Sequence, residues 1–183
     1  MRHPHSSCSC AVAAFLAFFL AGCGSRPSAP PLQDGPVFKE TREGFRFFVP
    51  NGWRQGARGV VPPGKIPKER MLVEYKCMTC ASPGVLRVTV ADVEESTTLS
   101  DYLAKNTLTG EKWRLLAPAE NFTINGAPAA RITYEKREGK DETIREVVAF
   151  RRGVRVYFFN GYYAKSDKDS RQAIKVAVDT VVW

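Results

Sequence analysis

Between Glu120 and Tyr163 the chain carries two strand-turn-strand patterns in succession, and these constrain the fold more than any other stretch. ENFTINGAPAARITYEKR turns at Asn125 and Gly126, and Asn-Gly between alternating hydrophobics is the strongest short-range hairpin signal because both positions tolerate positive φ. Beyond that turn Ala130, Ile132 and Tyr134 share a face. ETIREVVAFRR and VRVYFFNGYY then form a second hairpin around Gly153. In its second strand Val156, Tyr157, Phe158 and Phe159 are consecutive and apolar, so both faces are covered and the strand is central. Consecutive hairpins of this kind predict an antiparallel sheet.

The flanking segments add strands and helices. GFRFFVPNGW, residues 44–53, reads as a strand closed by a Pro-Asn-Gly turn, with Trp53 folding back onto the sheet. MLVEYK (71–76) and VLRVTVADV (85–93) are strand-like, and in the second Leu86, Val88 and Val90 alternate with Arg87, Thr89 and Ala91. TTLSDYLAKN (97–106) reads as a helix with Thr98 as cap and Asp101 in its first turn. The closing segment SDKDSRQAIKVAVDTVVW is a helix capped by Ser166 or Asp167, with Ile174, Val178 and Val181 at i, i+4 and i+7 and Ala177 beside them. It lies on the sheet and leaves Lys168, Arg171 and Lys175 to solvent. The fold class that follows is α+β, an antiparallel β-sheet flanked by helices.

From Arg54 to Lys68 the Gly and Pro content predicts irregular structure. Within it GVVPPGKI, Gly59 to Ile66, matches the GxxxxGK core of a phosphate-binding loop. The match fails on physics: Pro62 and Pro63 lack the backbone donors that cradle phosphate, Ile66 stands where a Ser or Thr would hold magnesium, and Pro67 is a poor helix start. Charge is the informative feature, since Phe45 to Lys68 holds Arg46, Arg54, Arg58, Lys65 and Lys68 and no acid. Two readings stand side by side: a solvated loop, or an edge facing lipid headgroups or an acidic partner.

The N-terminus carries an address. A short polar region with Arg2 precedes the apolar run AVAAFLAFFLA, Ala11 to Ala21, which is shorter than the about 20 residues that span a bilayer. Leu20, Ala21, Gly22 and Cys23 then resemble the lipobox of bacterial lipoproteins. That resemblance implies a signal peptide over residues 1–22, removal before Cys23, and lipid on the Cys23 sulfur, with several acyl chains anchoring where one would be marginal. Gly24 follows, with no Asp there, and resemblance to the usual lipoprotein sorting pattern implies an outer rather than an inner membrane. Residues 23–37 then hold the modified cysteine and a tether, of which GSRPSAPPLQDGP is rich in Pro, Gly and Ser.

Loss of residues 1–22 leaves 161 residues, enough for a single domain with a sizeable core over 38–183. Of the 27 Lys plus Arg, Arg2 departs with the signal, so 26 face 19 Asp plus Glu and the net charge is +7. Such a surface favours acidic partners, and secretion makes nucleic acid a poor one. Both histidines, His3 and His5, also lie in the signal. Residues 23–183 therefore lack the commonest general base and metal ligand, which excludes Ser-His-Asp and Cys-His catalysis and His-ligated zinc. No catalytic set, metal site or cofactor site is expected.

Cys8 and Cys10 leave with the signal and Cys23 is consumed by lipid, so Cys77 and Cys80 remain. A thioredoxin-type role needs the first cysteine at a helix N-terminus, whereas Ser82, Pro83 and Gly84 make a turn here. The pair is also half of a zinc site with nothing to complete it. In an oxidising compartment a disulfide at a hairpin tip is expected, with a reduced or a redox-active pair as the alternatives.

The strand ending in Pro-Asn-Gly-Trp at 50–53, the TLSDYLAKN helix, the NGAPAARITYE strand, the RGVRVYFFNGYY strand and the final helix after Ser166 together resemble the Mog1/PsbP-like superfamily over about 38–182. The resemblance implies an α/β/α sandwich and no shared active site, since members include protein-binding accessories of different systems. The expectation is a membrane-anchored, periplasm-facing, non-enzymatic module for a protein or envelope partner. The alternatives are a carrier holding a lipid or other apolar ligand among Trp53, Tyr102, Trp113 and Tyr157, and a thiol-redox protein through Cys77 and Cys80.

Overall fold

Asn125 and Gly126 both take positive φ, 49° and 78°, and Gly153 turns the second hairpin at φ 56°. The structure, a computed structural model, describes residues 36–80, 82–105 and 113–183. The signal peptide, Cys23 and nearly all of the tether lie outside the described residues, which belong to the unit Gly35–Trp183. The described elements are β1 (Val37–Glu40), β2 (Phe45–Phe48), β3 (Trp53–Arg58), β4 (Arg70–Cys77), β5 (Val85–Asp92), α1 (Leu99–Lys105), β6 (Trp113–Ile124), β7 (Ala127–Glu138), β8 (Asp141–Arg152), β9 (Arg155–Ala164) and α2 (Lys168–Asp179). β1 pairs with β2, and the other seven strands form one antiparallel sheet in the order β3-β4-β5-β9-β8-β7-β6. The architecture is α+β, as expected.

β9 occupies the middle of the sheet and its alternation divides two cores. Val156 and Phe158 join Leu99 and Leu103 of α1, with Ala130, Ile132, Val147 and Ala149. Tyr157, Phe159 and Tyr163 face the other way, onto Ile174, Ala177 and Val178 of α2 and onto Phe45 and Phe47 of β2. Val156 to Phe159 are at most 2% exposed, which is why a four-residue apolar run reads as a strand covered on both sides. Burying each large side chain contributes about 1.5–3 kcal/mol.

Local chemistry fixes both helices. Thr98 Oγ1 accepts from the Asp101 amide at 3.1 Å, and Asp167 caps α2 by accepting from the Ser170 amide at 2.9 Å. α2 seats where β9 has a glycine: a Cβ on Gly161 would stand 2.7 Å from Ile174 Cγ2. At the far end Asn125 Nδ2 donates to the carbonyls of Asp179 and Val181, both at 2.9 Å, tying the β6–β7 turn to the end of α2.

Two expectations are corrected. Residues 54–58, read as irregular, complete the edge strand β3; its exposed residues lack an apolar period, and backbone pairing to β4 holds it. The irregular part begins at Gly59, where a Cβ would lie 1.9 Å from the Met71 carbonyl oxygen. β6 also starts seven residues before Glu120, at Trp113, carrying Pro118 through two register shifts that only an edge strand tolerates.

Candidate functional site

Towards the β7–β8 turn, the sheet face that carries α1 changes character. Cross-strand register sets Arg54, Lys76, Val85, Tyr162, Arg145 and Tyr134 in one row across β3, β4, β5, β9, β8 and β7, because directly paired residues project to the same side. Arg87 and Asn160 pair one step nearer α1. The Arg87 and Arg145 guanidinium carbons lie 5.8 and 5.5 Å from the Tyr162 ring centroid, reached from strands on either side of β9. The Trp113 ring is 6.3 Å from that of Tyr162.

The two arginines differ in their partners. Arg87 donates from Nε and Nη2 to Glu74 Oε2 at 2.8 and 2.6 Å, and Lys76 adds a 3.1 Å ion pair to the other oxygen. Burial opposes ionisation of Glu74, yet Arg87 and Lys76 outweigh it and hold the carboxyl below its ordinary value. Arg145 makes no ion pair among the described residues, and its Nε is buried without a hydrogen-bond partner. Its Nη2 donates to Asn160 Oδ1 at 2.7 Å. Asn160, 2% exposed, is fixed in turn by donating to the carbonyls of Phe158 and Arg87 and to Thr89 Oγ1 at 3.3–3.4 Å. Tyr162, Val85 and Arg87 also border a cavity of about 1150 Å³ of mixed charge, lined by Lys140 and Lys165 as well as Asp141 and Glu142; Arg145 and Asn160 lie outside its lining.

A second charged cluster closes the β7–β8 end. Glu135, 1% exposed, receives Arg137 at 2.7 Å, Arg114 at 3.2 Å and Lys165 at 3.5 Å. These well-exposed cations form a thin cover, and the Arg137 hydrogen bond is the main reason the Glu135 carboxyl sits below its ordinary value. The arrangement is saturated with internal partners.

The five cations of the early loop do not converge. Arg54 and Arg58 would share a face at their spacing, but the bulge between Gln55 and Ala57 sets Arg54 opposite Lys76 and Arg58 opposite Val73 on the other side, 5.4 Å from the Phe38 ring. Arg46 is exposed on β2, whose backbone bridges Val182. Lys65 and Lys68 flank Ile66, whose amide donates to Asp92 Oδ2 at 2.7 Å. Arg155 joins Asp92 at 3.0 Å to Glu43 at 2.8 Å, where Tyr157 also donates, and its Nη2 donates to the Gly64 carbonyl at 3.4 Å, so the loop is pinned to β5 through Ile66 and to β9 through Gly64. Burial and the Glu43 hydrogen bond raise the Tyr157 pKa.

Cys77 and Cys80 are joined as a disulfide at the tip between β4 and β5, with Cα atoms 5.6 Å apart. Ser170 Oγ donates to Cys80 Sγ at 3.5 Å, so the tip rests on the first turn of α2. Beneath it a Cβ on Gly84 would meet Ser170 Oγ at 2.5 Å and Trp53 at 3.0 Å. The four aromatics of the carrier reading are separated by the sheet: Trp53 and Tyr157 belong to the α2 side, Tyr102 and Trp113 to the α1 side. They line no common cavity.

Arg145, Asn160 and Tyr162 escape sequence reading, although one signal exists: Arg145 continues the inward row of Val147 and Ala149, where an apolar residue belongs.

No family model and no curated protein matches this chain. Solved structures share its fold at low identity. A Bacteroides thetaiotaomicron protein matches 81% of the chain with TM-score 0.53 and 13% identity, and the chain spans about half, 48%, of that protein. PA94 of Pseudomonas aeruginosa, a protein of unknown function, gives TM-score 0.53 and 13% identity over 81% of this chain and 96% of its own. LpqN of Mycobacterium tuberculosis, involved in cell envelope biogenesis, gives 0.55 and 10% over 81% and 84%.

Proposed function

We propose that this chain is a lipid-anchored protein of the bacterial cell envelope, with a Mog1/PsbP-like domain that acts as a non-enzymatic binding or accessory module. The observation that carries the binding role is the α1-side row of Arg54, Lys76, Tyr162 and Arg145, a half-exposed cationic and aromatic surface on a rigid sheet. Support for the address comes from the Leu20-Ala21-Gly22-Cys23 motif and the tether after it, and from the fold shared with LpqN. Acyl chains on Cys23 hold the domain facing the periplasm, at the outer membrane by the residue after the cysteine. The cationic surface then meets an anionic envelope component or protein.

The test is site-specific photocrosslinking in the native envelope. A crosslinker at Lys76, on the cationic row, should capture a defined partner, whereas one at Val176, exposed on the outer side of α2, should not. Capture only from Val176 contradicts the assignment of the binding face.

A further inference from the structure

Of the half-buried arginines, Arg87, Arg131 and Arg155 are ion-paired and Arg151 is held by four backbone carbonyls, whereas Arg145 has neither support among the described residues. Arg145 is half-buried, and among the described residues its Nε is sealed from water without an acceptor and its one hydrogen bond goes to a neutral amide. A charge taken partly out of water without a counter-charge costs free energy. Asn160 holds it in place, and Tyr162 meets the guanidinium 5.5 Å from its ring centroid. Neither neutralises it.

From this geometry we infer that Arg145, Asn160 and Tyr162 form a subsite for a small organic monocarboxylate on an apolar body. Charge selects the anion: Arg87 is committed to Glu74, so one guanidinium beside Tyr162 has no counter-ion among the described residues. With Nε sealed and one Nη2 hydrogen held by Asn160, the Nη1–Nη2 edge of the planar guanidinium is the one that can match a planar carboxylate through two parallel hydrogen bonds. The apolar body has Val85, directly opposite Tyr162, and the Trp113–Tyr162 pair to lie against. Asn160 is a positioning residue, since it acts by fixing the Arg145 head group.

The inference rests on the domain being a binding module and names the ligand class of that surface. The experiment uses the mature lipid-anchored chain in nonionic detergent, with thermal unfolding followed by circular dichroism. Benzoate, benzamide and chloride are compared at matched ionic strength. Benzoate should raise Tm saturably, by mass action on the folded state, while benzamide, the uncharged analogue, should not. Arg145→Gln should weaken the apparent benzoate affinity at least about tenfold, as loss of a charge-assisted pair implies. Without ligand that variant should be at least as stable as the parent, because it removes an uncompensated charge. Arg145→Lys, which keeps the charge and loses the fork, should bind benzoate more weakly than the parent.

The inference is overturned by a benzoate response no larger than that to chloride or benzamide, or by one undiminished in Arg145→Gln. An Arg145→Gln chain that unfolds or is clearly destabilised also overturns it, by making the arginine structural. Failure of these arms with crosslinking from Lys76 intact removes the ligand class and leaves the module. A benzoate response without envelope capture does the reverse.

Discussion

α2 can lie flat on the sheet only because residue 161 has no side chain, which makes the contact between Gly161 and Ile174 a sharp test of the packing. A Cβ at 161 would stand 2.7 Å from Ile174 Cγ2 and 3.2 Å from its Cδ1, while the nearest backbone atom, the Glu146 carbonyl oxygen, is 3.7 Å away. Gly161→Ala alone should therefore overpack the interface and cost about 1–3 kcal/mol. Ile174→Ala alone should cost about 2–4 kcal/mol, since Ile174 is 3% exposed and its loss leaves a cavity. In the double variant the clashing atoms are gone and the new methyl occupies part of the vacated space. The two costs should then sum to at least about 1 kcal/mol more than the double variant shows, well outside the about 0.5 kcal/mol expected of independent sites. Urea unfolding of all four chains under identical conditions measures this coupling. Additive costs would mean that α2 is not seated on Gly161.

Three further outcomes follow from the same structure. Glu74 and Glu135 titrate below their ordinary value of 4.5 in the fold, so their stabilisation is complete above that pH and is lost as pH falls through the lower folded values; urea midpoints should drop on acidification, and Glu74→Gln should flatten the drop. Burial, aided by the Glu146 charge, pushes Tyr163 up to about 12, so its neutral form stabilises the fold fully below pH 10 and the benefit is lost as pH rises towards 12; Tyr163→Phe should reduce the fall in Tm between about pH 9 and 11.5. Asn125→Gly keeps the positive φ but removes both hydrogen bonds to the end of α2, and should cost about 1–2 kcal/mol in urea unfolding; no change would mean that the turn does not brace the helix.

The sequence exposes those parts of the fold whose causes are local. Asn125-Gly126 specifies a positive-φ turn whatever surrounds it, the run from Val156 to Phe159 fits only a strand buried on both faces, and Asp167 marks the start of α2 three residues before the amide it caps. β3 is hidden because its polar residues need no apolar period when the backbone of β4 supplies the pairing. The bulge beside Gly56 is hidden too, and it alone decides that Arg54 and Arg58 face opposite ways. The candidate site is less legible still. Arg87, Arg145 and Tyr162 come from three strands spread over 76 residues, and only the register of β5, β9 and β8 brings them together. An arginine in the inward row of REVVAF is the trace they leave.

The central claim is that Cys23 carries the anchor by which this domain works at the envelope. Intact-mass spectrometry of the chain purified from bacterial membranes tests it directly. The expected result is a polypeptide beginning at Cys23 with the added mass of fatty acyl groups on that residue. A soluble chain that retains Met1 to Gly22, or one with a free thiol at Cys23, would contradict it.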